Sequence, residues 1–563
     1  MPAFNPADSG RVPSAARLPR RTVLAGAAAA AFAAMLPAPS RAGDVVPTAS
    51  ETGWSIEGAP EISEMARLIH ATFASTYRQF EHQGHSIEGY AAGRSYSQIY
   101  VRDLATFQEA SAYFGSAEIM RTPVEAFLRS QSHFEVGEAS TGLIGATIGG
   151  AGSPDKATVV SDEESSLVQA AAGYYRAFGG LEWLTSEIDD VSVLDRCVAA
   201  LDALSATRTH ADIGLLFRGN TTDWGDVKAE PGPEPTDLAD GDIRTISLFD
   251  QAWYFRAAHD LVDMLRAAGR TQDAERMVAR ASALRTAATT VLFQPDRQYF
   301  RANVPIDAPP DAFDRDAIVS VSNALAVWTG FARPSEVTGL FNNVERAAAR
   351  LGTDRAGLTL YPAFPATYFR GRRMPPGEYQ NGAVWDWWGG LQIVSEFEHG
   401  RADTAFAHLE AAARHWQDAD GIYEWFHVPS QSSQGSADFS GAAGTMAQAV
   451  IRGLFGVRIT HDGFTLIPRL GPRNGTLDAV RPGGGSLRVA HTAYPGALVI
   501  EYNADLPGNG SGAVRLPPEW SGADAFLDGR RVATSNWNAG ADTYAGGWKL
   551  NSGTHSLVVI QTA

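Results

Sequence analysis

Cysteine is almost missing from this chain: Cys197 stands alone among 563 residues. A lone thiol closes no intrachain disulfide, and cysteine-rich metal sites and c-type haem attachment are excluded with it. The 13 histidines are scattered, with neither an HExxH pair nor neighbours at ligand spacing, so no metal centre is expected. There is no GxSxG elbow, Walker A loop or dinucleotide fingerprint, and the GGGS at 483 lies between strand-like segments, where it reads as a turn. Nothing calls for a cofactor. Positive charge is also in deficit: 46 Lys and Arg against 63 Asp and Glu leave a formal −17. A surface of that sign does not take up phosphate backbones, which excludes nucleic acid as a partner.

The first 42 residues stand apart. "RLPRRTVLAGAAAAAFAAMLPAPSRA" joins paired arginines, Arg20 and Arg21, to an Ala-rich apolar run and to small residues at Ser40 and Ala42. This pattern predicts a twin-arginine export signal cleaved after Ala42, and hence a periplasmic or extracellular protein exported in its folded state. The apolar run from Val23 to Leu36 is too short to span a bilayer, and no later stretch is long enough, so no membrane contact is expected after cleavage. These 42 residues carry five arginines and one aspartate; without that +4 the formal −17 becomes −21. The roughly 520 residues that follow exceed one compact core and suit two domains.

From about 59 to 455 the apolar spacing is helical. It predicts twelve helices over 59–82, 101–116, 117–131, 162–178, 180–206, 244–268, 271–294, 316–330, 334–351, 382–398, 401–416 and 437–455. The even count suggests six hairpins stacked around an axis, an (α/α)6 toroid over 43–456; a helical solenoid would need a fixed repeat, and none is visible. Alternate connections are long: 83–100, 132–161, 207–243, 295–315, 352–381 and 417–436. In a toroid every second loop emerges on one face, so these six should converge on one mouth. After residue 456 the texture changes to short alternating runs such as "SLRVAHTAY" and "ALVIEYNA", which predict an antiparallel β-sandwich over 457–563.

Chemistry-bearing stretches fall in or beside the long connections. In "GIYEWFHVPSQSSQG" the carboxylate of Glu424 sits between Tyr423 and Trp425 and is followed by a polar run over 429–436, read as a mobile loop. Desolvation by aromatics raises a carboxyl pKa, and a flexible polar neighbour admits water, a combination suited to a general base. "GNTTDWGDVKAEPG" places Asp223 and Asp226 on either side of Trp224; an indole in a polar loop needs a surface to pack on. "YVRDLATF" opens a helix with Arg102 and Asp103, which capping and the helix dipole also explain. "EYQNGAVWDWWGG" sets Gln380 and Asn381 before Trp385, Asp386 and Trp388, a density of amide and indole that suits sugar hydroxyls and ring faces. "SDEESS", 161–166, reads first as a cap with an acidic first turn. The 13 Trp, 16 Tyr and 26 Phe fit a sugar-stacking groove and fit a large core equally well.

In this order the stretches resemble the six-hairpin glycoside hydrolases: glucoamylases, trehalases, processing α-glucosidases, neutral invertases, glycogen-debranching glucosidases and α-rhamnosidases. "YVRDLATF" resembles the Arg-Asp segment that grips a terminal sugar, and "EYQNGAVWDWWGG" the Tyr-His-Asn-Gly segment of debranching enzymes. "GIYEWFHVPSQSSQGSADFSGAAGTMAQAVIRGLFG" resembles the segment with their catalytic Glu, and "GVRITHDGFTLIPRL" the entry to the C-terminal β domain of rhamnosidases. The resemblance implies an anomer-inverting glycosidase acting on an oligo- or polysaccharide, with Glu424 as general base and Asp223 as general acid, Asp226 being the alternative. It implies that Trp224, Trp385, Trp388 and Trp425 stack on sugar, and that Arg102, Asp103, Gln380, Asn381 and Asp386 bind hydroxyls. Three departures stand out: Gly225 follows Trp224, Gln380 replaces the usual His, and Asp386 stands where Pro is common. A polysaccharide lyase on the same toroid, a phosphorylase and a non-catalytic glycan-binding protein are the other readings.

Overall fold

A computed structural model describes residues 51–133, 142–149, 156–232, 234–306 and 308–562. The export expectation for residues 1–42 lies outside the described residues. Among them, twelve helices of seven residues or more run in chain order: α1 (Pro60–Thr76), α2 (Val101–Ser111), α3 (Ala117–Arg129), α4 (Glu163–Tyr174), α5 (Val193–Arg208), α6 (Leu248–Ala267), α7 (Thr271–Leu292), α8 (Ser322–Trp328), α9 (Pro334–Leu351), α10 (Asp386–Glu398), α11 (Ala402–Asp418) and α12 (Ser440–Gln448). Their ends carry the expected chemistry. Ser116, Ser192 and Ser247 cap α3, α5 and α6 by accepting from backbone N–H groups of the first turn. Helix α9 opens on Pro334 and stops at Gly352, whose φ of 81° only glycine adopts without strain.

Even-numbered helices differ from the odd ones in burial. Every residue of α4, α8 and α12 is buried, and in α10 only the last residue, Glu398, is less than fully buried, so these helices are covered all round. Helices α2, α4, α6, α8, α10 and α12 each pack on the next, and α12 packs back on α2, so the series of contacts closes. The remaining helices cover them: α1 on α12, α3 on α4, α5 on α4 and α6, α7 on α6, α9 on α8, and α11 on α10.

Two long helices expected from the sequence are interrupted. The 59–82 segment is helical only to Thr76; Tyr77–His82 then pairs with His85–Tyr90 across Gln83 and Gly84, both at positive φ, a two-residue turn that matches strand twist. Within 180–206 a short helix Gly180–Thr185 gives way to a hairpin of Glu187–Ile188 with Val191–Ser192, turned by Asp189 and Asp190 at positive φ, before α5 begins. Helical spacing of apolar residues persists through both breaks, which is why the pattern alone did not reveal them.

Beyond α12 the chain forms two sheets. One has seven strands, and its edge strand is Gly53–Ile56 from ahead of α1, paired antiparallel with Gly475–Arg481. The other has five, including one parallel pair, Gly463–Leu466 with Asn509–Arg515. Strands alternate buried and exposed positions, as with Leu487, Val489 and His491 on Gly485–Tyr494. The five-stranded sheet is pinned to α11: Arg515 pairs with both Asp542 and Asp403, and Asp542 accepts from Ala402 N at 3.0 Å.

The long connections meet. Tyr96 of the first hydrogen-bonds Glu424 of the last, and Gln380 bonds Asp226. Asn303 Nδ2 donates to Thr221 O, and Val159 bonds both Gly219 and Thr236 through the backbone. Beneath them the ring of contacts is clamped by Arg452, which follows α12 and reaches Glu398 of α10 at 2.8 and 3.0 Å and Glu109 of α2 at 3.0 Å. Its side chain is only 4% exposed. Arg452→Met would leave Glu398 buried without its cation, so a loss of about 3–5 kcal/mol is expected in chemical denaturation. Adding Glu398→Gln should restore a large part of it.

Candidate functional site

Glu424 lies in the hairpin of Tyr423–His427 with Ser432–Ala437. The polar run expected to be a loop is therefore largely a strand, and the ladder holds an irregularity at the carboxylate. Tyr423 pairs with Ala437 and Trp425 with Gln434, so Glu424 faces two residues, Gly435 and Ser436. Gly435 takes a φ of 77°, the conformation a bulge of this kind requires. The bulge turns Ser436 N–H away from the ladder and onto Glu424 Oε2 at 2.9 Å. Tyr96 O–H donates to the same carboxylate at 3.2 Å. Glu424 is 5% exposed, and burial raises its pKa; Ser436 and Tyr96 oppose the rise, the charge of Asp226 adds to it, and Arg372 opposes it.

The two acids beside Trp224 have different surroundings. Asp223 is fully buried: Oδ1 accepts from Ser247 Oγ at 2.7 Å and Phe249 N at 3.2 Å, and Oδ2 accepts from Ser320 Oγ at 2.7 Å. It ties the loop to the start of α6 and has no access to solvent. Asp226 is half-buried. Its Oδ1 accepts from Gln380 Nε2 at 2.7 Å while its own N–H donates to Gln380 Oε1 at 3.2 Å. Gly225 leaves room for this exchange, since a Cβ there would lie 2.6 Å from Gln380 Oε1. Arg218, paired with Asp250 in the interior, donates to the carbonyl of Gly225 and holds the loop from below.

Asp103 completes a group of three carboxyls. It sits in the first turn of α2, 7% exposed, and its Oδ1 has no protein hydrogen-bond partner. Burial pushes its pKa up to about 7; Arg102 pulls it down, while Glu424 and Asp226 push it up. Arg102 itself turns to Asp162, which it grips through Nε at 2.6 Å and Nη2 at 2.8 Å. Burial opposes ionisation of Asp162, yet the guanidinium outweighs it and holds that carboxyl below its usual range. Asp162 thus serves as the counter-ion of Arg102, and its side chain makes no cap hydrogen bond.

Most of the other expected sugar contacts lie inside the protein. Trp224 is 1% exposed and meets Trp385 and Trp388 edge-on at 5.1 Å, and Trp387 stacks on Trp388 at 4.1 Å. Indoles covered in this way form the floor and offer no free face, so Trp224, Trp385 and Trp388 do not stack on a ligand from these positions. Trp425 is the half-buried exception, beside Tyr379 at 6.2 Å. Asn381 is fully buried and pins its own loop through Phe364 and Met374. Asp386 pairs with Arg355 and accepts from Trp416 Nε1 at 2.7 Å, on the side of α10 toward α11. Sequence reasoning missed Tyr96, Tyr379 and Ser436, whose partners are distant in the chain. Among the described residues no cluster of three or more His, Cys, Asp or Glu could hold a metal ion.

Likeness to solved proteins is confined to structure: no protein-family model and no curated sequence matches the chain. A rhamnosidase of glycoside hydrolase family 78 from Bacillus sp. GL1 superposes with a TM-score of 0.59 at 14% identity, over 84% of this chain and 44% of that one. The α-L-rhamnosidase of Dictyoglumus thermophilum gives 0.60 at 11% identity, over 91% and 51%. That of Streptomyces avermitilis, solved with L-rhamnose, gives 0.58 at 12%, over 91% and 42%. The chain therefore shares its fold with α-L-rhamnosidases and spans about half the length of those it matches.

The buried carboxyls make stability depend on pH. Asp103, Glu163 and Asp250 ionise near 7 in the folded state, each raised first by burial, from ordinary values of 3.8, 4.5 and 3.8. Between about pH 4 and 7 the folded chain holds protons that the unfolded chain has released, so the stability these groups contribute is complete below that window and is lost as pH rises through 7. Glu109 and Glu398, lowered to about 2 by their arginines, act only below the window. The melting temperature is expected to fall from pH 5 to pH 7.5, and Asp103→Asn should flatten that slope; an unchanged slope would refute the assignment.

Proposed function

We propose that this chain is a glycoside hydrolase that cleaves an oligo- or polysaccharide with inversion of the anomeric centre, with Glu424 as general base and Asp226 as general acid. The observation that carries the reading is the presence of these two carboxyls on converging loops, each held by neutral donors and electrostatically within reach of the other. In an inverting enzyme a carboxylate activates water on one side of the sugar while an acid protonates the leaving oxygen on the other, roughly 6.5–9.5 Å away. Ser436 and Tyr96 favour the ionised form of Glu424 against the pull of burial, the form that takes a proton from water. Gln380 occupies one oxygen of Asp226 and leaves the second for the proton to be delivered. Asp223, with both oxygens bonded inside the protein, is the anchor of the loop, which favours Asp226 as the acid.

Binding falls to Trp425 and Tyr379 for the ring face and to Asp103 Oδ1 for a hydroxyl. The scaffold in this reading is an (α/α)6 toroid of six helical hairpins capped by a β-sandwich; the closed contact series of the even helices and the likeness to rhamnosidase structures support it. Export through the twin-arginine signal would place the enzyme where extracellular glycans are met. A lyase on the same scaffold would need a tyrosine or histidine base. Burial raises the pKa of both Tyr96 and Tyr379, and the charges of Glu424 and of Asp103 or Asp226 raise them further, which makes them poor bases.

The test is a screen of α- and β-linked gluco-, rhamno-, manno- and arabino-glycans. Where the wild type releases sugar, Glu424→Gln and Asp226→Asn should each lower kcat by about 10²–10⁴. Asp223→Asn should act mainly on the melting temperature. If Asp226→Asn stays active while a folded Asp223→Asn does not, the acid is Asp223. Products absorbing near the ultraviolet edge would establish the lyase reading instead.

A further inference from the structure

The run Arg370-Gly371-Arg372-Arg373 concentrates three guanidiniums in a chain whose formal charge is −17. All three arginines are exposed. Elsewhere arginines are largely matched to carboxylates, as at Arg102, Arg218, Arg315, Arg355, Arg452 and Arg515. Among the described residues no ion pair involves Arg370, Arg372 or Arg373, and Glu378, exposed on the same loop, pairs with none of them.

The run is held against the loop that carries Asp226. Arg370 N donates to Ala229 O at 3.0 Å, and Gly371 lies so close that a Cβ there would be 2.7 Å from Glu230 O. Arg372 sits over the Tyr379 ring, 4.9 Å from its centre, and its charge reaches Glu424. The site thus has three carboxyls, Asp103, Asp226 and Glu424, and beside them the guanidinium of Arg372, the central side chain of this unmatched run. A neutral sugar could use these guanidiniums only as hydrogen-bond donors to its hydroxyls. A negatively charged sugar would be repelled by the three carboxyls, and guanidiniums beside them offset that repulsion while offering planar forks that fit a carboxylate.

Building on the hydrolase reading, we propose that the substrate is an anionic glycan whose carboxylate is taken by the Arg370–Arg373 run, next to the sugar held at Glu424. The probes are oligogalacturonates and glucuronate-bearing xylo-oligosaccharides, their methyl esters, sulfated cello-oligosaccharides and neutral cello-oligosaccharides. Binding is read by calorimetry on Glu424→Gln protein and turnover on wild type, each with and without Arg372→Gln and Arg373→Gln, and melting temperature controls for folding. A carboxylated probe should bind, weaken about tenfold or more with the arginine changes, and weaken with added salt. Its methyl ester should show the same loss. Carboxylated probes bound through the arginines but never cleaved would overturn the hydrolase reading and leave the anion site standing. Cleavage of neutral or esterified probes, unaffected by the arginine changes, would overturn the anion site and leave the hydrolase. Preference for sulfated probes, or binding of no charged probe, would overturn the carboxylate assignment.

Discussion

Between Tyr423 and Trp425 the hairpin ladder slips by one residue, and the carboxylate of Glu424 is left facing a strand with an N–H to spare. The slip needs a residue at positive φ with no Cβ; a Cβ on Gly435 would stand 2.5 Å from Glu424 Oε2. One backbone donor and one phenol therefore oppose the rise in pKa that burial imposes on a 5%-exposed carboxyl. The converging connections are arranged around that carboxylate. Tyr96 comes from the connection ahead of α2, Asp226 from the one ahead of α6, and Tyr379 and Gln380 from the one ahead of α10.

Connections that meet in this way need a rigid floor, and the floor is built from indoles and buried ion pairs. Trp224 packs into a cluster with Trp385, Trp387 and Trp388, while Arg218–Asp250 and Arg102–Asp162 stand beneath the loop and the start of α4. Buried pairs of this kind contribute little net stability, and removing one partner is costly, so their effect is to permit one arrangement of the loops. Asp223 fits the same logic: three donors from two elements lock it, and that lock places Gly225 and Asp226.

Much of this architecture was legible in the sequence. Helical periodicity found all twelve helices, and the uneven loop lengths found the end of the molecule where they meet, because both follow from local spacing. The aromatic setting of Glu424 was legible for the same reason. What local spacing does not carry is any feature that depends on distant partners. Asp223 and Asp226 are three residues apart and equivalent locally; only Gln380, 154 residues away, distinguishes them. The tryptophans looked like sugar platforms because sequence shows that an indole is present and not whether its faces are covered. The edge strand Gly53–Ile56 was invisible because its partner lies more than 400 residues on. The bulge at Glu424 was hidden in a Ser/Gln/Gly run whose composition reads as loop.

In the function proposed above, the floor, the slip at Glu424 and the placement of Asp226 would serve two carboxyls acting from opposite sides of a bound sugar with a water between them. The most direct measurement is the configuration of the first-formed product, followed by proton NMR from the start of hydrolysis. The account predicts that the anomer opposite to that of the substrate accumulates first and then mutarotates. First release of the retained anomer would contradict it, since retention calls for a covalent intermediate and carboxyls only about 5–5.5 Å apart.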